Sequence, residues 1–211
     1  MKTFTIMFII AGFLSSCSIN SGSKTTAPVA TATSVHYKPS PVTTVSNKNS
    51  IRGMQKYYRS TNTAVGPVRM VIDKSDFELR VYDKKGLLAV YPVVFGLKPL
   101  EDKYMQGDRK TPEGTFKVSY SKQHQLWKHM LMLDYPTTES LIKFKVRKHS
   151  GLIPVNASIG SGIGIHGVEP GNDFFIDRFY NWTNGCISLK NTHIQDLAKY
   201  VRTGTPVSIQ K

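Results

Sequence analysis

Two side chains in the C-terminal third of the chain have the type and the surroundings for nucleophilic chemistry. Cys186 follows Thr183-Asn184-Gly185 and leads into Ile187-Ser188-Leu189. His166 closes an apolar, glycine-spaced run that starts at Gly160, and Gly167 follows it. Each half reads as a short strand meeting a tight glycine turn. A thiol attacks a carbonyl as its thiolate, and an imidazole with an ordinary pKa of about 6.5 can take the proton. Gly185 lets the backbone turn so that N–H groups near the thiol face a developing oxyanion. A lone cysteine is commonly a buried apolar filler; it is the glycine turn and the His-Gly strand end that favour catalysis here.

The other histidines lack that context. His36 lies in a linker, His193 falls in the first turn of an expected helix and is expected to be exposed, and His124, His129 and His149 have no glycine neighbour. No helical i, i+4 histidine pair and no CxxC occurs, so no metal is expected. The glycines from Gly160 to Gly167 match no phosphate-loop pattern and read as close backbone approach near the site. No cofactor is needed for a thiol and an imidazole to act.

The motifs together resemble the L,D-transpeptidase catalytic domain (YkuD type). That family carries a His-Gly, a loop, then Ser/Thr-His-Gly-Cys; here His166-Gly167, Thr183, Gly185 and Cys186 match. Asn184 stands where many members have a second His, and Ser188 where an Arg or Asn is usual. A branch similar to murein transpeptidase or amidase proteins has Trp-Thr-Asp-Gly-Cys-Ile-Ala-Leu, which Trp182 to Leu189 resembles. Gly107-Asp108-Arg109-Lys110-Thr111-Pro112-Glu113-Gly114 and the closing Gly204 to Ile209 extend the match over roughly residues 67–211.

The resemblance implies a mostly-β (α+β) sandwich with a few short helices. It implies acyl transfer on peptidoglycan stem peptides, with Cys186 as nucleophile, His166 as base and the Gly167 carbonyl orienting the imidazole. Gly185, Asn184 and Thr183 would support the site and its oxyanion donors. The acceptor would be a stem-peptide amine (a 3→3 cross-link) or a Lys of an envelope protein. A hydrolase or amidase of the same fold is the alternative, and an inactive wall-binding protein a further one. Gly107 to Gly114 reads as a structural turn, with Arg109 and Lys110 able to meet a substrate carboxylate.

These residues need a scaffold, and the texture from Val68 onward supplies one. Val68–Ile72, Phe77–Tyr82 and Leu87–Phe95 read as strands joined by the turns Asp73–Asp76 and Asp83–Gly86, two hairpin signals in close succession. Thr115–Tyr120, Met130–Asp134 and Val207–Gln210 add strands. Residues Thr137–His149 are ambiguous: Ile142, Phe144 and Val146 alternate as in a strand, while the resemblance implies a helix. Asn191–Val201 is expected to be helical, with Ile194, Leu197, Ala198 and Val201 on one face and Thr192 and Gln195 as a capping box.

Before this domain, residues 1–17 read as a lipoprotein-type signal. Lys2 precedes an apolar run from Phe4 to Leu14, and Leu14-Ser15-Ser16-Cys17 resembles a lipobox whose Cys17 carries lipid. A disulfide between Cys17 and Cys186 is the competing reading. Residues 18–66 are a basic Ser/Thr/Pro-rich linker expected to be disordered. The net charge is +14, and eight of those excess cations precede Asp73, the first acidic residue. Such a balance suits an anionic partner; the export signal excludes nucleic acid and leaves anionic lipid or an acidic wall polymer. The expected location is the cell envelope on the periplasmic side, attached to a membrane through the lipid anchor, the outer membrane in a diderm.

Overall fold

The computed structural model describes residues 56–211. The signal-like segment, Cys17 and the linker up to residue 55 lie outside the described residues. Nine strands and three helices follow in order: β1 (Tyr58–Arg59), β2 (Arg69–Asp73), β3 (Glu78–Asp83), β4 (Gly86–Pro92), β5 (Gly114–His124), β6 (Lys128–Leu133), α1 (Thr138–His149), β7 (Gly164–His166), α2 (Phe174–Asp177), β8 (Ile187–Ser188), α3 (Asn191–Leu197) and β9 (Pro206–Gln210). They form a hydrogen-bonded order β1-β4-β3-β2-β9-β5-β6-β7-β8. The pairs β2–β9 and β7–β8 are parallel, and all others are antiparallel.

The long strand β5 joins the two halves. Its start, Gly114–Lys117, pairs with β9, and from Val118 to His124 it pairs with β6. The register slips between Val118 and Tyr120, and such a bulge bends a strand and raises its twist. One curled sheet, the mostly-β architecture expected above, thereby wraps the main core, and a smaller cluster of Val94, Val168 and Ile176 lies apart from it. Alternate residues point inward, as the pleat requires: Met70 and Ile72 on β2, Phe116 and Val118 on β5, Val207 and Ile209 on β9. Each such burial stabilises the fold by about 1.5–3 kcal/mol.

One ambiguity resolves to the helix that the resemblance implies, and two expectations need correction. The ambiguous stretch is the helix α1, capped by Thr137 Oγ1 accepting from Ser140 N at 3.2 Å. Its strand-like alternation misleads because its apolar residues are not the buried ones. Ile142 and Val146 face solvent, and cations hold the inner side: Arg147 donates to Asp102 at 2.5 Å and to Lys103 O at 2.8 Å, Lys148 to Ala157 O at 3.0 Å.

Helix α3 ends at Leu197, although turns carry the chain on to buried Val201. No Thr192–Gln195 capping box forms. Thr192 lies inside the first turn, and the Asn191 N–H is satisfied instead by Asp173 Oδ1 at 2.9 Å, a cap supplied from eighteen residues upstream.

Folded structure also begins before residue 67. Tyr58 and Arg59 pair with Val90 and Ala89 of β4, and Arg59 Nε donates to Asp196 Oδ2 at 2.9 Å. Tyr57 stacks on His193 with ring centroids 4.6 Å apart, so His193, expected to be exposed, is partly covered.

Candidate active site

Strand register aligns His166 with the short strand that follows Cys186. In the parallel pair β7–β8, Ile165 aligns with Ile187 and His166 with Ser188. Cys186 lies two residues before Ser188, in the turn that leads into β8. The bridge between Val94 and Ser188 closes β8 from its other edge.

The turn before the nucleophile is tied by Thr183. Its Oγ1 donates to Cys186 O at 2.7 Å and accepts from Gly185 N at 3.1 Å. The Gly185 N–H is therefore engaged by the turn, and the glycine supports the site through the bend of its backbone. Gly185 itself has φ +132, and a Cβ there would lie 2.6 Å from Lys110 O; only glycine suits both the dihedral and the space. Asn184 is exposed at the tip.

His166 is 2% exposed. Its Nδ1 lies 2.7 Å from Gly167 O. A carbonyl only accepts, so Nδ1 carries the hydrogen and Nε2 keeps its lone pair. Ser188 Oγ donates to the same carbonyl oxygen at 3.3 Å, which gives a place in the site to the residue that departs from the family pattern. The thiol donates to Gly162 O at 3.5 Å.

Two indoles enclose the imidazole: Trp127 stacks on it at 4.4 Å, and Trp182 meets it edge-on at 5.6 Å. His124 stacks on Trp127 in turn, at 4.5 Å. Burial is the main reason the His166 pKa falls to about 4, and the nearby His124 charge lowers it further against the Gly167 hydrogen bond. Burial likewise pushes the Cys186 thiol up, opposed by backbone hydrogen bonding from Gly164 and by the Lys103 charge. Both shifts favour the uncharged forms, a thiol at Cys186 and a neutral imidazole at His166.

Trp127 and His124 sit at the tip of the β5–β6 hairpin, and their chain segment braces the strand end. Trp127 O accepts from Gly167 N at 3.1 Å. A Cβ on Gly167 would lie 2.6 Å from that oxygen and 2.4 Å from Asn191 Oδ1, so this glycine is required by close approach. Asn191 Oδ1 accepts from Val168 N at 3.1 Å, fastening the next residue to α3. Sequence reasoning missed Trp127, His124 and Asn191; none carries a local motif.

A cleft of about 410 Å³ opens at the thiol, with Gln106, Arg109, Ser161, Gly162 and Asn184 in its wall beside Cys186. The loop behind it is firmly built. Lys74, in the turn Asp73–Asp76, is fully buried and donates to Glu113 at 2.6 Å and to Glu101 O at 2.8 Å. Among the described residues no group of His, Cys, Asp and Glu could hold a metal ion, and no helix is long and apolar enough to cross a membrane.

The chain resembles proteins of known structure. It matches the cell-shape determining protein Pgp2 of Campylobacter jejuni at 24% identity and a TM-score of 0.50, over 75% of this chain and 51% of that one. Bd1075 of Bdellovibrio bacteriovorus gives 22% identity and 0.49, over 75% and 52%. An L,D-transpeptidase from Mycobacterium smegmatis gives 18% and 0.42, over 68% and 58%. The chain spans about half the length of the first two. No curated protein matches its sequence. The family model of the L,D-transpeptidase catalytic domain (YkuD) matches residues 67–209, the region that carries the Gly-flanked thiol and imidazole; the chain belongs to that family.

Proposed function

We propose that the protein is a peptidoglycan L,D-transpeptidase acting through Cys186. The observation that carries this reading is the β7–β8 register, which pairs His166 with Ser188, two residues past Cys186, while Nδ1 of His166 is fixed on Gly167 O at 2.7 Å. Nε2 takes the thiol proton as Sγ bonds to the carbonyl carbon of the stem peptide's third residue. The Cys186 N–H has no hydrogen-bond partner among the described residues and can donate to the oxyanion. The C–N bond to the terminal D-Ala then breaks, His166 returns the proton to the departing amine, and a thioester remains. An acceptor amine attacks it, gives a proton to His166, and releases the thiol. The amine comes from another stem or from a Lys of an envelope protein. Neither step calls for a cofactor. Cys17 anchors the enzyme to a membrane and the basic linker lets it reach the wall.

Incubation of the purified protein with muropeptides, with products identified by mass spectrometry, tests this. Cross-linked dimers linked 3→3 are expected, and Cys186→Ala should yield none. Tripeptides without dimers would assign water as the acceptor and make the protein a hydrolase. Untouched muropeptides would contradict both.

A further inference from the structure

Three cations crowd the loop beside the thiol, and two are already neutralised. Lys103 Nζ pairs with Asp108 at 2.8 Å and also donates to Met105 O at 3.0 Å. Lys110 Nζ pairs with Glu101 at 2.8 Å. Arg109, between them, has an exposed side chain in the cleft wall with Cys186. Among the described residues no carboxylate, carbonyl or ring partners its guanidinium. No Asp or Glu lines the cleft.

The backbone of Arg109 is held where an arginine is disfavoured. Its φ is +58, in the left-handed region that glycine and asparagine enter more readily. The turn is pinned on both sides. Asp108 accepts from Lys110 N at 3.1 Å, from Tyr104 N at 2.6 Å and from Met105 N at 3.0 Å. Arg109 O accepts from Lys98 N at 3.2 Å. That same oxygen would lie 2.2 Å from a Cβ on Gly96, whose other close neighbour is Gly185 N at 3.1 Å. The Arg109 backbone is therefore wedged against the nucleophile's own turn. Backbone strain concentrates where a side chain must be aimed, and this one aims an unpaired, planar, two-pronged cation into the nucleophile's cleft.

We propose that Arg109 forms a carboxylate subsite beside Cys186, taking a carboxylate of the donor peptide by paired N–H···O bonds. This rests on the acyl-transfer reading and adds to it the group by which the donor is recognised. A stem peptide offers carboxylates on its second residue, on its third where the diamino acid carries one, and at its terminal D-residue.

Calorimetry on the full chain carrying Cys186→Ala, which binds without turnover, separates these. The ligands are the tetrapeptide stem and three analogues, each with one carboxylate converted to its amide. The stem should bind about ten- to hundred-fold more weakly once Arg109→Asn is added, a replacement comfortable at a left-handed φ. One analogue should be as weak on the parent as the stem is on the Arg109→Asn protein, and should lose nothing further there. That analogue names the carboxylate. Arg109→Lys, with charge but no fork, should recover part of the affinity. If Arg109→Asn binds all four ligands as its parent does, or if neither protein binds the stem, the subsite is overturned. If binding follows the expected pattern while the Cys186 enzyme makes no thioester, the subsite stands and the acyl-transfer reading falls.

Discussion

The chemistry of the site turns on how burial sets the resting protonation of two residues. With the His166 pKa lowered to about 4 and the thiol raised, no thiolate–imidazolium pair preexists at pH 7. The proton must move as the bond forms, so alkylation of Cys186 by iodoacetamide should keep accelerating as pH rises past neutrality, with no plateau between about pH 5 and 7. A thiol fully reactive at pH 6 would contradict this protonation scheme. His166→Ala should cost about 10² to 10⁴ in acylation rate, the usual range for a general base. Asn184→Ala should cost less, because an amide accepts no proton at these pH values. Trp127 acts on His166 as a positioning residue. Trp127→Ala opens one imidazole face to water, so the acid limb of the rate profile should move up toward the ordinary histidine value of about 6.5. A lower rate with an unmoved limb would make Trp127 merely structural.

Elements, more than single residues, mark where the sequence could and could not be read. The strands of the candidate site are legible because a glycine-flanked thiol and a His-Gly leave a local trace, and the hairpin turns do the same for β2 to β4. Helix α1 was ambiguous because its polarity is inverted: Ile142 and Val146 are exposed while Arg147 and Lys148 bond inward. The α3 cap was misread because the group capping Asn191 N comes from Asp173 rather than from the helix's own first turn. The β5–β6 hairpin tip left no trace at all, since Trp127 reaches His166 only through sheet pairing. Its packing on Gly167 is tight enough to test: Gly167→Ala would force a Cβ to within 2.6 Å of Trp127 O. It should destabilise the domain by on the order of 3 kcal/mol, read as a lowered urea midpoint. A midpoint unchanged from wild type would mean that the hairpin gives way easily and does not brace the site.

At the scale of the molecule, the curled sheet ends on β7 and β8, where the proposed chemistry sits, and a second histidine, His193, lies in the first turn of α3. His193 is pushed down to about 4, chiefly by burial and also by Lys190, against Asp173, Asp177 and Asp196. His166 is similarly lowered. Both bind their proton more weakly folded than unfolded, so their contribution to stability is present above about pH 6.5 and is lost as pH falls toward 4. The melting temperature should therefore drop between pH 7 and 5. His193→Phe, which keeps a ring against Tyr57, should shallow that drop; an identical drop in the variant would remove His193 from the account. Anchoring is a separate matter, since Cys17 lies outside the described residues. Wild type should sediment with membranes and Cys17→Ala should not.

The most direct test of the central claim is the intact mass of the protein mixed with a tetrapeptide stem in a single turnover. The account predicts a thioester on Cys186, heavier than the free enzyme by the acyl tripeptide, formed by the wild type within the dead time of manual mixing. His166→Ala should form it about 10² to 10⁴ times more slowly, and Cys186→Ala not at all. An adduct of the same mass on folded Cys186→Ala, or equal rates with and without His166, would contradict it.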